Sequence, residues 1–271
     1  TPNWRTMLVG ALGAGGKGYF VLDVTTPGDA TGLVITDQTS STDADVGHIF
    51  GTPVPAEFNP QRSLQIAKMN NDRWALITGN GYNSTNGRPV LLIQYLSGTG
   101  ASLEKITAAS TGANATDNGL STPRPVDLNG DGTVDVIYAG DLKGNMWKFD
   151  VSNKVPTGNW GVALGGNPLY IAKDSTDTRQ PITSAPNVRT NKSVGGMMVA
   201  FGTGRNVTEG DRSDRTSIQT VYSILDETKY TLDSDVANKG KVKAVTSPAP
   251  TTVSSRTSPT AHGDLVPRTF N

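Results

Sequence analysis

Short apolar runs that end in glycine recur along this chain, and each is followed by a second β-rich run. The first set reads TMLVG, WALITG, VDVIYAG and MMVAFG and ends at Gly10, Gly79, Gly140 and Gly202. The second set reads GYFVLDV, RPVLLIQYL, GNMWKFDV and IQTVYSILD. Short β-branched and aromatic runs separated by polar or glycine-rich connections are typical of strands joined as hairpins. We therefore predict that each of these eight runs is a strand, within four units of about three or four short strands joined by hairpins.

The four units recur at intervals of roughly 60–70 residues, which indicates a repeat architecture. Proline-containing segments precede the last three units and supply a further strand-like element to each. Small antiparallel sheets repeated around an axis leave few exposed strand edges, and this is the arrangement of a β-propeller. A β-sandwich is the alternative, but it gives no reason for the recurring block. We predict an all-β chain with propeller blades over residues 1–228, either as a small four-unit ring or as part of a larger propeller.

The composition supports this fold and argues against several classes of function. Apolar residues make up 35% of the chain, glycine and proline number 31 and 16, and no long amphipathic helical pattern occurs. Acidic and basic residues balance at 24 each, and the basic ones are scattered, so no nucleic-acid surface is expected. The chain has no cysteine, which excludes disulfides and thiolate chemistry. No apolar run has the length of a transmembrane helix.

The two ends of the sequence differ from the repeated part. The chain opens at TPNWRTMLVG without a signal peptide, so we expect a fragment of a longer protein. Residues 229–271 are rich in serine, threonine and proline, and we interpret them as an extended tail with one candidate closing strand.

The clearest candidate for chemistry is the stretch DLNGDGTVD, which follows the proline-containing segment of the third unit. The corresponding turns of the second and fourth units, KMNNDR and RTNKSVGG, have ordinary turn residues. In the third unit, oxygen-bearing side chains occupy positions one, three, five and nine, and Gly132 at position six permits a sharp turn. The pattern matches the calcium-loop motif D-x-[DN]-x-[DN]-G over six positions.

Acidic groups at alternate positions repel one another unless a cation lies among them, and Ca²⁺ accepts six to eight oxygen ligands at about 2.3–2.6 Å. Position twelve is Tyr138, which cannot supply the bidentate carboxylate of an EF-hand, so we predict a calcium loop on a β scaffold. The alternative is an acidic turn that caps its own backbone amides and binds no metal. The predicted ligands are the side chains of Asp127, Asn129, Asp131 and Asp135 and the backbone carbonyl of Thr133.

Other candidate motifs are weaker. DADVGH (Asp43–His48) has two spaced carboxylates and a histidine but no glycine at position six, and GAGGKG (Gly13–Gly18) lacks the Walker spacing. His48 and His262 lie far apart, and no G-x-S-x-G motif accompanies them. We therefore predict no catalytic site and no organic cofactor.

Long blocks of the sequence, in order, are similar to a known family. They are WRTMLVGALGAGGKGYFVLDVT, VGHIFGTPVPAEF, NDRWALITGNGYNS, STPRPVDLNGDGTVDVIYAGDLKGNMWKFDVS and QPITSAPNV with MMVAFGTGRNVTEGD. Together they cover most of Trp4 to Asp226 and resemble the PilC/PilY family of type IV pilus tip-associated adhesins. The resemblance implies a C-terminal β-propeller with quinoprotein-like blades in a protein that is not an enzyme.

The same resemblance implies a location and partners. The expected location is the cell surface or pilus tip of a Gram-negative bacterium, in association with the outer membrane. The expected partners are minor pilins or tip proteins and a host or abiotic surface, in support of adhesion and twitching motility. In the family the loop equivalent to Asp127–Asp135 binds calcium and influences pilus extension against retraction, and all five predicted ligands fit its pattern.

Two other resemblances leave alternatives open. VIYAGDLKGNMWKFD is also similar to a propeller repeat of quinoprotein dehydrogenases, which use calcium with pyrroloquinoline quinone. DLNGDGTVDVIYAG is also similar to the repeat of integrin-like adhesive propellers, in which several blades normally carry calcium loops.

Overall fold

A computed structural model describes residues 4–28, 31–40, 42–57, 59–97, 102–192 and 195–245, and only the backbone of residues 59–61. Within these ranges the chain is built almost entirely of short strands. The one α-helix, α1, spans Glu209–Ser213, where the side chain of Thr208 and that of Asp211 cap each other's backbone amides. No helix in this part of the chain is long and apolar enough to cross a membrane.

Four sheets of mainly antiparallel strands follow one another along the chain and form the blades of a β-propeller. The first blade contains β1 (Met7–Ala11), β2 (Tyr19–Asp23) and β3 (Val34–Asp37). The second contains β6 (Ile66–Met69), β7 (Trp74–Gly79), β8 (Val90–Tyr95) and β9 (Leu103–Thr107). The third contains β10 (Arg124–Val126), β12 (Val136–Gly140), β13 (Asn145–Asp150), β14 (Gly161–Val162) and β15 (Tyr170–Ile171). The fourth contains β16 (Asn187–Thr190), β17 (Met197–Gly202) and β18 (Val221–Asp226).

Each of the eight predicted runs is a strand, and each predicted hairpin is an antiparallel pair. The pairs are β1 with β2, β7 with β8, β12 with β13 and β17 with β18. The predicted all-β propeller fold is therefore confirmed. Two strand pairs lie outside the four blades: β4 (Pro55–Ala56) with β5 (Asn59–Ser63), and β19 (Tyr230–Leu232) with β20 (Val242–Ala244). The second pair falls in the predicted tail, whose remaining residues after 245 lie outside the described ranges.

Two of the recurring glycines, Gly79 and Gly140, lie at strand ends so close to another segment of the chain that a side chain would not fit. A Cβ atom on Gly79 would lie 2.1 Å from the carbonyl oxygen of Ser121, and one on Gly140 would lie 2.2 Å from the side chain of Ile182. Both contacts are with the segment that leads into the next blade. Larger residues at these two positions would therefore push successive blades apart.

Three apolar clusters connect the blades in chain order. One joins the first blade to the second, another joins the second to the third, and a third joins the third to the fourth. Two large side chains of the middle cluster, Trp147 and Phe149, lie on β13 and pack towards β7 and β8. Face-to-face packing between neighbouring sheets therefore supplies the core.

Candidate metal site

The predicted calcium loop lies on a hairpin turn of the third blade. Strands β10 and β12 pair antiparallel, and the loop between them spans residues 127–135. Its closing hydrogen bond runs from the amide of Asp135 to the carbonyl of Val126 at 2.9 Å. Gly130 and Gly132 have φ angles of 78° and 86°, a conformation that other residues adopt only at a cost. The position of the loop in the fold agrees with the sequence prediction.

The end of the loop also contacts the second blade. A short strand, β11 (Thr133–Val134), pairs in parallel with β6. The loop therefore bridges two blades, a feature that the hairpin pattern did not predict.

The exposed part of the loop binds its own backbone. The two carboxylate oxygens of Asp127 accept hydrogen bonds from the amides of Gly130 (2.7 Å) and Gly132 (2.8 Å). Asn129 Oδ1 accepts from the amide of Asp131 at 3.1 Å, and Asp131 Oδ1 accepts from the amide of Thr133 at 2.9 Å. These bonds fix the side-chain oxygens on the loop and leave carboxylate lone pairs available.

The last acidic residue of the loop, Asp135, is completely buried. Its Oδ2 accepts from the amide of Leu128 at 2.8 Å, and its Oδ1 accepts from Nδ2 of Asn70 at 3.1 Å. Burial raises the pKa of Asp135 to about 6 against the effect of these two donors, and the charges of Asp127 and Asp131 raise it further. A negative charge is therefore poorly tolerated here without a nearby cation.

Asn70 belongs to KMNNDR, which the sequence analysis classed as an ordinary turn. It is completely buried and donates to the carbonyl of Val134 at 2.6 Å as well as to Asp135. The sequence carries no signal for this role, because asparagine is common in turns for other reasons.

A cation from the chain itself reaches the exposed part of the loop. The ammonium group of Lys241 lies 2.8 Å from Oδ2 of Asp131 and 3.1 Å from the hydroxyl of Thr133. Burial alone would raise the pKa of Asp131, but the hydrogen bonds from Lys241 and Thr133 lower it to about 2. Lys241 follows the loop by more than a hundred residues, so no sequence motif connects the two.

The five predicted ligands lie on one loop and fit calcium by donor type, since all of them offer oxygen. Their side chains are held apart, however: Asp131 by Lys241 and Asp135 in the interior. Over the described ranges, no three carboxylate or imidazole groups are placed so that they could together hold a metal ion. Metal binding at this loop would therefore require Asp131 to exchange its contact with Lys241.

The weaker motif DADVGH has a structural role. Asp45 is buried and forms ion pairs with Arg88 and Lys105. His48 lies with Nδ1 2.8 Å from the carbonyl oxygen of Gly13, whereas His262 is outside the described residues.

Comparisons with known proteins agree with the fold. A family model described as the PilY1 beta-propeller domain matches residues 1–247. The type IV pilus biogenesis factor PilY1 of Pseudomonas aeruginosa strain PAO1 is 39% identical over 242 residues, which cover 83% of this chain and 19% of that protein. A PilY1 homolog of Xylella fastidiosa strain Temecula1 is 40% identical over 237 residues, covering 83% of this chain and 15% of that protein.

A solved structure is also similar. The crystal structure of the Pseudomonas aeruginosa PilY1 C-terminal domain superposes with a TM-score of 0.70 and 34% identity. The match covers 88% of this chain and 47% of that chain. This chain thus spans about a fifth of the Pseudomonas protein and about half of the crystallised domain.

Proposed function

This chain belongs to the PilY1 β-propeller family, and from that premise we propose that it is the calcium-binding propeller of a type IV pilus biogenesis protein. The family resemblance inferred from the sequence is confirmed. The curated relatives are named biogenesis factors, which is consistent with a protein that is not an enzyme.

The observation that carries the proposal is the composition and conformation of the 127–135 loop. Three carboxylates and one amide occupy nine residues, and the two glycines in left-handed conformations keep the loop tightly turned. When bound, calcium would supply a divalent positive charge to these oxygens. The residues that would hold it are Asp127, Asn129, Asp131 and Asp135, with the backbone carbonyl of Thr133.

A change in the conformation of the loop would affect two blades of the propeller. It contacts the second blade through β11 and the buried Asn70, and it lies on the hairpin β10–β12 of the third. Neutralising Asp127 and Asp131 would remove their mutual repulsion and stiffen this junction. A change of loop state alters a partner's binding only if the partner's affinity differs between the two states.

We further propose that this propeller acts at the cell surface or pilus tip of a Gram-negative bacterium, in association with the outer membrane. Its partners there would be minor pilins or tip proteins, and the loop would bias pilus extension against retraction. Adhesion to a host or abiotic surface and twitching motility would depend on that bias. The names of the curated relatives support the link to the pilus.

Calcium titration of the purified chain tests the binding proposal. We expect a Kd between about 10⁻⁷ and 10⁻³ M, and we expect Asp131→Ala to weaken binding at least about tenfold. The matched control is Asp174→Ala. Asp174 also caps its own turn, through the amides of Thr176 and Thr178, but no calcium-loop motif surrounds it.

Isothermal titration calorimetry gives the affinity, and the calcium-induced rise in melting temperature gives an independent measure. Calcium at a hundredfold excess over Kd stabilises the folded chain by about 2.7 kcal/mol. If the unmodified chain neither binds millimolar calcium nor gains thermal stability, the proposal is wrong.

A further inference from the structure

The turn between β19 and β20 lies against the candidate calcium loop. We define the hairpin tip as residues 233–241, which connect the two strands. The tip contacts the loop twice. Lys241 binds Asp131 and Thr133, and the carbonyl oxygen of Gly240 accepts a hydrogen bond from Nδ2 of Asn129 at 3.3 Å.

The ion pair between the tip and the loop is shielded from water. Only 12% of the Lys241 side chain and 29% of the Asp131 side chain are exposed. By contrast, 51% of the neighbouring Lys243 side chain is exposed, and it pairs with Asp233 of its own hairpin. Lys241, and not Lys243, contacts the loop, and its shielding from water strengthens the ion pair with Asp131.

The ammonium group and a metal ion would compete for one carboxylate. Asp131 Oδ1 is bound by the amide of Thr133, and Asp131 Oδ2 is bound by Lys241. A calcium ion that takes Asp131 would meet the ammonium at close range, and like charges repel strongly in a partly buried site. Both cations therefore cannot hold Asp131 in this arrangement.

We propose that Lys241 is a built-in competitor of calcium, and that calcium binding releases the hairpin tip from the loop. This inference rests on the proposed function, because it needs calcium to bind at residues 127–135. Lys241 would neutralise part of the loop charge while calcium is scarce. Calcium binding at the loop would then cause the hairpin tip to move.

The rest of the hairpin is held by contacts that calcium would not disturb. Val242 on β20 is buried, and Tyr230 on β19 packs on the core cluster that joins the third and fourth blades. Among the described residues, the tip has one further hydrogen bond beyond its own hairpin and the loop, from the amide of Lys154 to Oδ1 of Asn238 at 3.1 Å. Loss of the Lys241 contact should therefore loosen the tip and leave the strands in place.

Calcium titrations of three proteins test the competition: the unmodified chain, Lys241→Met and Lys243→Met. Each variant loses one positive charge, Lys243→Met on β20 and Lys241→Met directly before it. Only Lys241→Met loses a contact with the loop. We expect Lys241→Met to bind calcium about three- to tenfold more tightly than the unmodified chain, and Lys243→Met to bind like it. Equal or weaker binding by Lys241→Met, while the unmodified chain binds, overturns the competition and leaves the proposed function intact.

Two further outcomes separate the two proposals. Binding by Lys241→Met alone would support the competition, but it would defeat the proposed function, because the unmodified chain would not bind calcium. Failure of all three proteins to bind millimolar calcium would defeat the proposed function, and the competition with it.

Hydrogen exchange tests the release. In the unmodified chain, saturating calcium should speed amide exchange in the tip, residues 233–241, and leave β18 unchanged. Lys241→Met should show fast exchange in the tip even without calcium. Unchanged or slower exchange in the tip of a calcium-bound chain would overturn the release.

Discussion

At the scale of single residues, the buried amide of Asn70 joins the candidate site to two blades. Its Nδ2 donates to the carbonyls of Val134 and Val151 and to Asp135, and its Oδ1 accepts from the hydroxyl of Thr133. All of these partners are themselves buried. Few polar side chains in a protein interior satisfy so many groups at once.

We expect Asn70→Ala to lower the free energy of unfolding by about 2–3 kcal/mol, because it leaves buried polar groups without a partner. Urea denaturation measures the change. The control is Asn71→Ala, which removes the hydrogen bond to the hydroxyl of Tyr95 and the one from the amide of Arg73 at a less buried position. If both variants lose a similar free energy of unfolding, the hydrogen bonds of Asn70 contribute no more to stability than those of Asn71.

The roles of Asn70 and Lys241 at the candidate site could not be predicted from the sequence. The position of the acidic loop could be predicted because its motif lies within nine consecutive residues. Asn70 is indistinguishable from any turn asparagine until the third blade packs over it. Lys241 reaches Asp131 only because the chain returns after the rest of the third blade and the fourth blade, and no periodicity encodes that contact.

At the scale of elements, the hairpins were predictable and the pairings between them were not. Runs such as WALITG and RPVLLIQYL have the apolar, β-branched content of strands that are buried on both faces, and β7 and β8 are buried along most of their length. The parallel pairing of β11 with β6 joins different blades, and two residues are too few to leave a pattern. The pair β19–β20 lies in the tail, where the sequence indicated one candidate closing strand and the structure has two strands paired with each other.

A charged network ties the loop before the second blade to that blade's strands. The carboxylate of Asp45 accepts hydrogen bonds from Arg88, Asn86 and Lys105, which lies on β9. The Arg88 guanidinium, followed by Asn86 and Lys105, holds the pKa of Asp45 well below its usual range despite burial. A carboxyl with a lowered pKa stabilises the fold above its unfolded pKa of about 3.9, and this stabilisation is lost as the pH falls towards the folded value.

We therefore expect stability to decline as the pH is lowered from about 5 towards 2, with a contribution of about 2 kcal/mol from Asp45. In Asp45→Asn this contribution should already be missing at neutral pH, so its stability should fall less over the same range. Urea unfolding across the pH series measures both. Asp177→Asn is the control, because 67% of that side chain is exposed in its pair with Lys173. A pH dependence that is the same in Asp45→Asn as in the unmodified chain would contradict the prediction.

At the scale of the whole molecule, the blades are joined in series, and each junction has its own chemistry. An apolar cluster fills each junction. The junction of the second and third blades also contains the hydrogen bonds of Asn70, and the junction of the third and fourth contains a buried ion pair. Lys148 on β13 binds Asp226 at the end of β18, and their side chains are only 1% and 2% exposed. The hydroxyl of Tyr138 also donates to Asp226, and the ring of Tyr230 lies 5.1 Å from the ammonium.

This pair gives a test of how the blades hold together. Removing one partner of a buried ion pair leaves the other charge without compensation, so Lys148→Met should cost about 3–5 kcal/mol in the free energy of unfolding. The double variant Lys148→Met/Asp226→Asn removes both charges and keeps an oxygen that accepts from Tyr138. It should be more stable than Lys148→Met alone, although it carries one more substitution. Urea denaturation of the four proteins in the cycle measures the coupling. If the two substitutions are additive, the pair does not connect the blades, and the apolar cluster around it holds the junction unaided.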